Sequence, residues 1–135
     1  MIKSIKVGAL AVAGALALAA CSGGSGGGGA LVVGTDLPLQ GASADASKAT
    51  NQAINLLLEQ VGGKAGDYTV TIKEYDNSTA AKGAWDDAQC AKNAQDHVAN
   101  AGEVAVMGTY NSGCAKIILP TLNQAPDRSE EHTSE

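Results

Sequence analysis

The chain has 135 residues and a formal net charge of −5, and it contains one tryptophan, three tyrosines and no phenylalanine. An acidic chain without a basic stripe argues against binding to nucleic acid. The length allows one small domain or one lobe of a larger one, with a core built from alanine, valine, isoleucine and leucine.

The amino-terminal segment predicts export and a lipid anchor. Two lysines precede an apolar stretch from Val7 to Ala20, and a basic start before a short apolar run is typical of a signal peptide. Residues 18–21 end in Cys21 and resemble the bacterial lipobox, in which the cysteine becomes the lipidated amino terminus. We therefore predict a lipoprotein signal peptide over residues 1–21, with a plain secretory signal as the alternative.

Residues 22–30 are almost entirely glycine and serine. Such a segment forms a flexible linker because it buries too little apolar surface to offset the entropy of ordering. The apolar stretch before it is shorter than the roughly 20 residues that span a membrane, and no later segment reaches that length. We expect a folded body over residues 31–127, tethered near a membrane on the outer side.

Residues 128–135 match the translation of a common sequencing-library adapter. The segment is polar and has no apolar periodicity. We predict that it is an artefact and that the natural reading frame is cut near Asp127, with a real acidic tail as the alternative. Its histidine is therefore left out of the candidate sites.

Three segments of the body predict strands. Leu31–Thr35 and Val104–Met107 are short apolar runs, and Tyr68–Tyr75 alternates apolar and polar residues. Such patterns indicate two buried strands and one half-buried strand toward an edge of the sheet.

The segments between and after these strands predict helices. Apolar residues recur at helical spacing from Ala46 to Val61, where two glycines end the helix. A second helix is predicted after a helix start at 76–79, with an apolar face running from Ala81 to Val98. A third contains Ile117 to Leu122, with a kink at its proline.

Strands that alternate with helices predict an α/β fold, a three-layer parallel sheet with helices on both faces. With right-handed crossovers we expect the strand order 2-1-3. Ligands of such sheets bind beyond the carboxyl ends of the strands, where the winding direction switches. The loops at that point are residues 36–43 and 109–113.

The second loop precedes a helix, whose amino-terminal N–H groups favour an anion such as a carboxylate. Ser112 can add a hydroxyl donor. The alternative is that Asn111 and Ser112 merely cap the helix. The position of Asn111 and Ser112 in the sequence does not favour either interpretation.

The segments 33–41, 75–77 and 107–114, in this order and spacing, resemble the amino-terminal lobe of the leucine-binding family. These proteins are substrate-binding lipoproteins or periplasmic proteins of branched-chain amino-acid ABC transporters, with the type I periplasmic binding fold. The resemblance runs from about Leu31 to Ala125 and implies that the chain holds part of that lobe.

The resemblance implies the site. Ser112 is expected to bind the α-carboxylate of a small amino acid or amide, in a loop with Tyr110 and Asn111, while Gln40 and Gly41 border the ligand side chain. It also implies an ABC permease in the inner membrane as partner, a monomer, and a location in the bacterial cell envelope, facing the periplasm or the exterior. Neither a metal nor an organic cofactor is expected.

Cys90 and Cys114 are the cysteines that remain after the lipobox. An even pair in an exported protein predicts a disulfide, and two buried free thiols are the alternative. Members of the resembling family often carry a disulfide between these regions, which the pair fits, although here the cysteine follows Ser112 whereas theirs precedes the serine.

Two other functions stay open. A hydrolase with Ser112 as nucleophile needs a base, and His97 is the only candidate, but we expect it on the solvated side of a helix pointing away from the ligand edge. A sensor or receptor lobe shares the same fold, but no DNA-binding helix pair precedes Leu31. We therefore predict a binding protein without catalytic residues. Trp85 is expected in the core, and Asp86 and Asp87 on a solvated face.

Overall fold

The computed structural model describes residues 28–124. The predicted signal peptide, the lipidation site Cys21, most of the linker and the adapter-like tail lie outside the described residues. Within residues 28–124, no helix is long and apolar enough to cross a membrane.

The main sheet consists of three parallel strands and a short antiparallel one. β1 is Ala30–Leu37, β3 is Tyr68–Asp76 and β6 is Glu103–Gly108, and β1 lies between the other two. β2, Lys64–Ala65, pairs antiparallel with the start of β3. The order of the three parallel strands is the predicted 2-1-3.

Three helices cover the sheet: α1 is Ala44–Gln60, α2 is Asp87–Ala99 and α3 is Ser112–Leu122. The chain moves from β1 to β3 in one direction and from β3 to β6 in the other. Right-handed crossovers therefore put α1 on one face and α2 on the opposite face. α3 packs against α2, so the predicted three-layer α/β fold is confirmed.

The prediction for residues 76–85 is wrong. The segment forms a hairpin in which β4, Ser78–Thr79, pairs antiparallel with β5, Ala84–Trp85. α2 begins only after Asp86. The side chain of Asp86 caps the helix by accepting hydrogen bonds from the N–H groups of Ala88, at 3.0 Å, and Gln89, at 3.1 Å. The alanines of the hairpin matched a helical pattern, but Gly83 has a φ of 61°, in the left-handed region where a right-handed helix does not continue.

The apolar core lies between β6 and the helix pair α2 and α3. Its side chains are small or aliphatic: Cys90, Ala94, Val106, Cys114, Ile118 and Leu122. A disulfide joins Cys90 to Cys114, with their Cα atoms 5.6 Å apart. It crosslinks the two helices in a core that has no large aromatic side chain at its centre, and Trp85 packs against its margin.

α1 covers the other face less completely. Its buried residues are the polar Ser47 and Asn51, while Leu57 and Val61, which belong to the predicted helical stripe, are 62% and 61% exposed. The stripe therefore marks the helix correctly but is not the side that faces the sheet.

A buried polar cluster joins α2 to the sheet, and it corrects the prediction that His97 is solvated. His97, Asp36 and Glu103 are each at most 1% exposed. One ring nitrogen of His97, Nε2, lies 3.1 Å from a carboxylate oxygen of Asp36, and the other, Nδ1, contacts Glu103. Tyr75 donates its hydroxyl to the second oxygen of Glu103 at 2.7 Å.

Two features of β1 make room for this cluster. A Cβ atom on Gly34 would lie 2.7 Å from Glu103 Oε1 and 3.0 Å from His97 Cε1, so only glycine fits there. Asp36 was predicted to begin a loop but is part of β1, paired with Tyr75 and Gly108. Its side chain is inside because His97 and the amide of Asn93, at 3.2 Å, satisfy it.

The cluster shifts two pKa values in opposite directions. Burial alone would lower the pKa of His97, but the hydrogen bonds to Asp36 and Glu103 outweigh it, so the pKa lies above the ordinary 6.5. Burial alone would raise the pKa of Glu103, but the hydrogen bonds from His97 and Tyr75 hold it below the ordinary 4.5. An ion pair between a protonated His97 and an ionised Glu103 is thus favoured.

We predict a stability optimum between these two titrations. The contribution of His97 is fully present below pH 6.5 and is lost as pH rises through its raised pKa. That of Glu103 is present above pH 4.5 and is lost as pH falls through its lowered pKa. His97→Gln should cost about 3–5 kcal/mol near pH 5.5 because it leaves buried carboxylates uncompensated, and it should flatten the alkaline decline.

Urea unfolding of the full-length protein from pH 4 to 9 measures both effects. Asp96→Asn is the matched control, because it breaks an exposed ion pair with Lys92 on the same helix and should change stability by about 1 kcal/mol or less. A His97→Gln protein with the wild-type pH profile would contradict the charged cluster.

Candidate functional site

The two predicted ligand loops lie at the same edge of the sheet. β1 and β6 run parallel, and Asp36 near the end of β1 is paired with Gly108 at the end of β6. Residues 38–43 and 109–111 therefore leave the sheet side by side, at the carboxyl ends of neighbouring strands. The predicted location of the loops is confirmed by this register.

Asn77 links the ends of these strands. Its side-chain amide donates to the carbonyl oxygens of Asp36, at 3.2 Å, and Thr109, at 3.3 Å. Its own N–H donates to the carbonyl of Leu37 at 3.1 Å. Because Asn77 is fully buried, these hydrogen bonds are shielded from water and fix both loops to the end of β3.

The carboxylate of Asp76 is one of the groups that hold the first loop. Asp76 accepts hydrogen bonds from the N–H of Leu39 at 2.9 Å, the side-chain amide of Gln40 at 2.7 Å, and the N–H of Ser78 at 2.8 Å. Burial alone would raise the pKa of Asp76, but the hydrogen bonds from Ser78, Gln40 and Leu39 lower it instead. Asp76 is thus ionised at neutral pH and organises the loop.

Gln40 lies where it was predicted, but its side chain is engaged by the protein. The same amide nitrogen of Gln40 that contacts Asp76 also lies 3.3 Å from the carbonyl oxygen of Ser78. These two contacts use both hydrogens of the amide nitrogen. Gln40 therefore shapes the loop through its side-chain donors instead of offering them to a ligand.

Gly41 is needed where the loop turns. Its φ of 76° lies in the left-handed region, which glycine adopts without steric cost. A Cβ atom there would overlap the carbonyl of Gly83 in the hairpin, and the N–H of Ala42 donates to that same carbonyl at 3.2 Å. The loop and the hairpin therefore pack backbone to backbone.

The second loop presents the start of α3. Asn111 occupies the N-cap position in an extended conformation, and its side chain makes no capping hydrogen bond. Ser112 is the first residue of the helix and is exposed, and Tyr110, with a φ of 70°, is 59% exposed. The interpretation that Asn111 is there to cap the helix with its side chain is therefore not supported.

An uncapped helix start has a definite chemical preference. The first N–H groups of a helix lack partners within the helix, and the positive end of the helix dipole adds to their attraction for an anion. With the Ser112 hydroxyl beside them, these groups form a set of donors suited to a carboxylate.

An open groove lies elsewhere on the protein. It has a volume of about 410 Å³ and is lined by α1 side chains together with Glu74 of β3. None of the residues 36–43 or 109–113 lines it. It lacks the helix-terminal donors that make the carboxyl edge a candidate anion site.

Sequence reasoning missed the hairpin and the polar residues before it. Asp76, Asn77 and Ser78 follow directly on a predicted strand, so they could have been assigned to the carboxyl edge from their position alone. The contacts of Gly83 and Trp85 had no such signal, because they depend on how the hairpin folds back on the two loops.

A scan against protein-family models matches none of them. A search of curated proteins finds no match by sequence.

Among solved structures, the chain resembles a crystal structure described as a branched-chain amino acid ABC transporter from Rhodospirillum rubrum. The TM-score is 0.63 and the sequences are 24% identical over 75% of this chain. The chain spans 28% of the length of that protein. At this identity the likeness concerns the fold alone, and it agrees with the predicted α/β fold with a parallel sheet and helices on both faces.

Proposed function

We propose that this chain is part of an extracytoplasmic substrate-binding protein of an ABC transporter and that it captures a small amino acid of the branched-chain type. The observation that carries the proposal is the exposed Ser112 at an uncapped helix start, beside the loop 38–41 at one edge of the sheet. The described structural neighbour supports the same general kind of protein.

The donors at this edge account for recognition of a carboxylate. The N–H groups at the start of α3 and the Ser112 hydroxyl would hold the α-carboxylate, and charge-assisted hydrogen bonds of this type are the stronger ones. The loop containing Leu39 and Gly41 would border the ligand side chain. A second lobe would close over the ligand by a hinge motion and supply an acidic group for its amine.

The buried state of His97 argues against hydrolysis at this site. The hydrolase hypothesis needs His97 as the base for Ser112, but both ring nitrogens of His97 contact carboxylates inside the protein. We propose that the ligand is bound and released unchanged.

The anchor and partners follow from the same proposal. Acyl chains on Cys21 would hold the protein at the membrane, since each buried CH₂ contributes roughly 0.8 kcal/mol. The protein would work as a monomer in the cell envelope and deliver its ligand to an ABC permease in the inner membrane, without a metal or cofactor.

Ser112→Ala tests the ligand site. Removing a hydroxyl that donates to a carboxylate should weaken binding by about 1.5–3 kcal/mol, while the exposed position of Ser112 should leave thermal stability nearly unchanged. Calorimetric titration of the full-length protein with leucine, isoleucine and valine measures the affinity.

Thr69→Ala is the matched control, because it removes an exposed hydroxyl at the amino end of β3, on the opposite edge of the sheet. Unchanged affinity in Ser112→Ala would refute the carboxylate role. A ligand recovered in altered form would refute the binding function.

Asp76→Asn tests the organisation of the first loop. The substitution puts an amide opposite the N–H of Leu39 and the amide of Gln40, so two charge-assisted hydrogen bonds weaken or are lost. We expect the affinity for the amino acid to fall about tenfold, which corresponds to a loss of ~1.4 kcal/mol of binding free energy. Glu74→Gln, which makes the same chemical change at an exposed residue of the same strand, should bind as the wild type does.

Cys21→Ser tests the anchor. The variant should appear in the soluble fraction and should not incorporate labelled palmitate, whereas the wild type should fractionate with membranes and carry the label. Equal membrane association of both proteins would show that Cys21 is not the anchor.

A further inference from the structure

The hairpin β4–β5 contacts both the first loop of the candidate site and the start of α3. On one side it contacts the first loop, where the N–H of Gln40 donates to the Ser78 hydroxyl at 2.8 Å and the N–H of Ala42 donates to the Gly83 carbonyl at 3.2 Å. One contact is made by the first residue of β4 and the other by Gly83 in the turn of the hairpin, so the position of the hairpin relative to the loop is defined at two points.

On its other side the hairpin contacts the first turn of α3. A Cβ atom on Gly113 would lie 2.5 Å from both Cζ2 and Cη2 of Trp85. The indole ring therefore rests against the backbone of the residue directly after Ser112, where a side chain would displace it. Lys82 lies over the same ring, with Nζ 5.6 Å from its centroid.

Trp85 is also held in place by the apolar core and by the base of the hairpin. It is half-buried and packs against the apolar core that contains the Cys90–Cys114 disulfide. At the base of the hairpin, the N–H of Asp86 donates to the carbonyl of Asn77 at 2.8 Å. Because the indole ring is held by the core and by the hairpin, its contact with Gly113 can fix the start of α3 relative to both.

We propose that the hairpin Ser78–Trp85 lines the ligand cleft together with the two loops. In this arrangement Trp85 is a positioning residue: it fixes the first turn of α3, which would bind the carboxylate, in its place relative to the loop 38–42. The inference rests on the proposed function and adds a determinant of selectivity to it. Helix-terminal donors discriminate a carboxylate from a neutral group only when they are held in one geometry. Trp85 therefore acts on selectivity for the free acid, through Gly113.

The test compares leucine with leucinamide, which lacks the carboxylate charge. In calorimetry on the full-length protein, Trp85→Ala should weaken leucine binding about tenfold, the effect of losing roughly one good charge-assisted hydrogen bond. Leucinamide binding should change little, so the preference for the acid should fall by the same factor. Gly113→Ala should act in the same direction because its methyl group displaces the ring.

Two variants separate positioning from a loss of folding. Trp85→Phe keeps an aromatic ring at the contact and should restore most of the preference for the acid. Ala81→Ser, at an exposed residue of the hairpin turn, is the matched control and should behave as the wild type does. If Trp85→Ala does not fold, Gly113→Ala and Trp85→Phe decide the question.

Hydrogen exchange supplies a readout that needs no ligand. The amides of the first hydrogen-bonded turn of α3, beginning with Ala115, whose N–H donates to the carbonyl of Asn111 at 3.1 Å, should exchange faster in Trp85→Ala than in the wild type and the control. Unchanged exchange, or an unchanged ratio of leucine to leucinamide affinity, overturns the positioning role. A wild-type protein that binds no amino acid refutes the proposed function, and exchange then decides the role of Trp85 by itself.

Discussion

The fold of residues 28–124 depends on one buried charged cluster, the imidazole of His97 between the carboxyl groups of Asp36 and Glu103. It connects α2 to the two neighbouring strands β1 and β6, and Asn93 and Tyr75 complete its hydrogen bonds. Burying such charges is costly unless they are paired and satisfied. Since Asp36 lies near the end of β1, the cluster also helps to determine where the loop that follows β1 leaves the sheet.

The carboxyl edge of the sheet is also held together by hydrogen bonds of polar side chains and not by apolar packing. Asp76 and Asn77 are successive residues, and their side chains hold the first loop and the end of β6 respectively. Directional hydrogen bonds define a loop's position more narrowly than apolar contacts do. This explains how a chain with so few aromatic residues can present two loops in a defined arrangement.

The small size of the core gives the helix pair and its disulfide added importance. Alanine and cysteine let α2 and α3 approach closely, and the crosslink between Cys90 and Cys114 joins them. Closing a loop of this length stabilises by about 3 kcal/mol in the chain-entropy model. α3 carries the proposed carboxylate site at its start, so the same packing that completes the core also orients the site.

Much of the architecture could be predicted from the sequence because it is encoded locally. The apolar runs at 31–35 and 104–107 and the alternation at 68–75 indicate strands, and their succession with helices leaves few topologies once crossovers are right-handed. The loops at 36–43 and 109–113 could be placed at one edge for the same reason. The helix predicted across the alanines before Trp85 failed because Gly83 turns the chain with a left-handed φ, and periodicity does not show which glycine will do so.

The sequence by itself determined the order of the three main strands and three helices, the strand order 2-1-3, and the edge of the sheet at which the loops 36–43 and 109–113 lie, since these follow from periodicity and chain connectivity. Only the tertiary structure decided that His97 is buried, that Gln40 uses its donors within the protein, and that Trp85 meets Gly113. Each of these depends on partners far away in the chain, such as Asp36 for His97. Local patterns carry no information about which distant group will satisfy a buried charge or occupy the space beside a glycine.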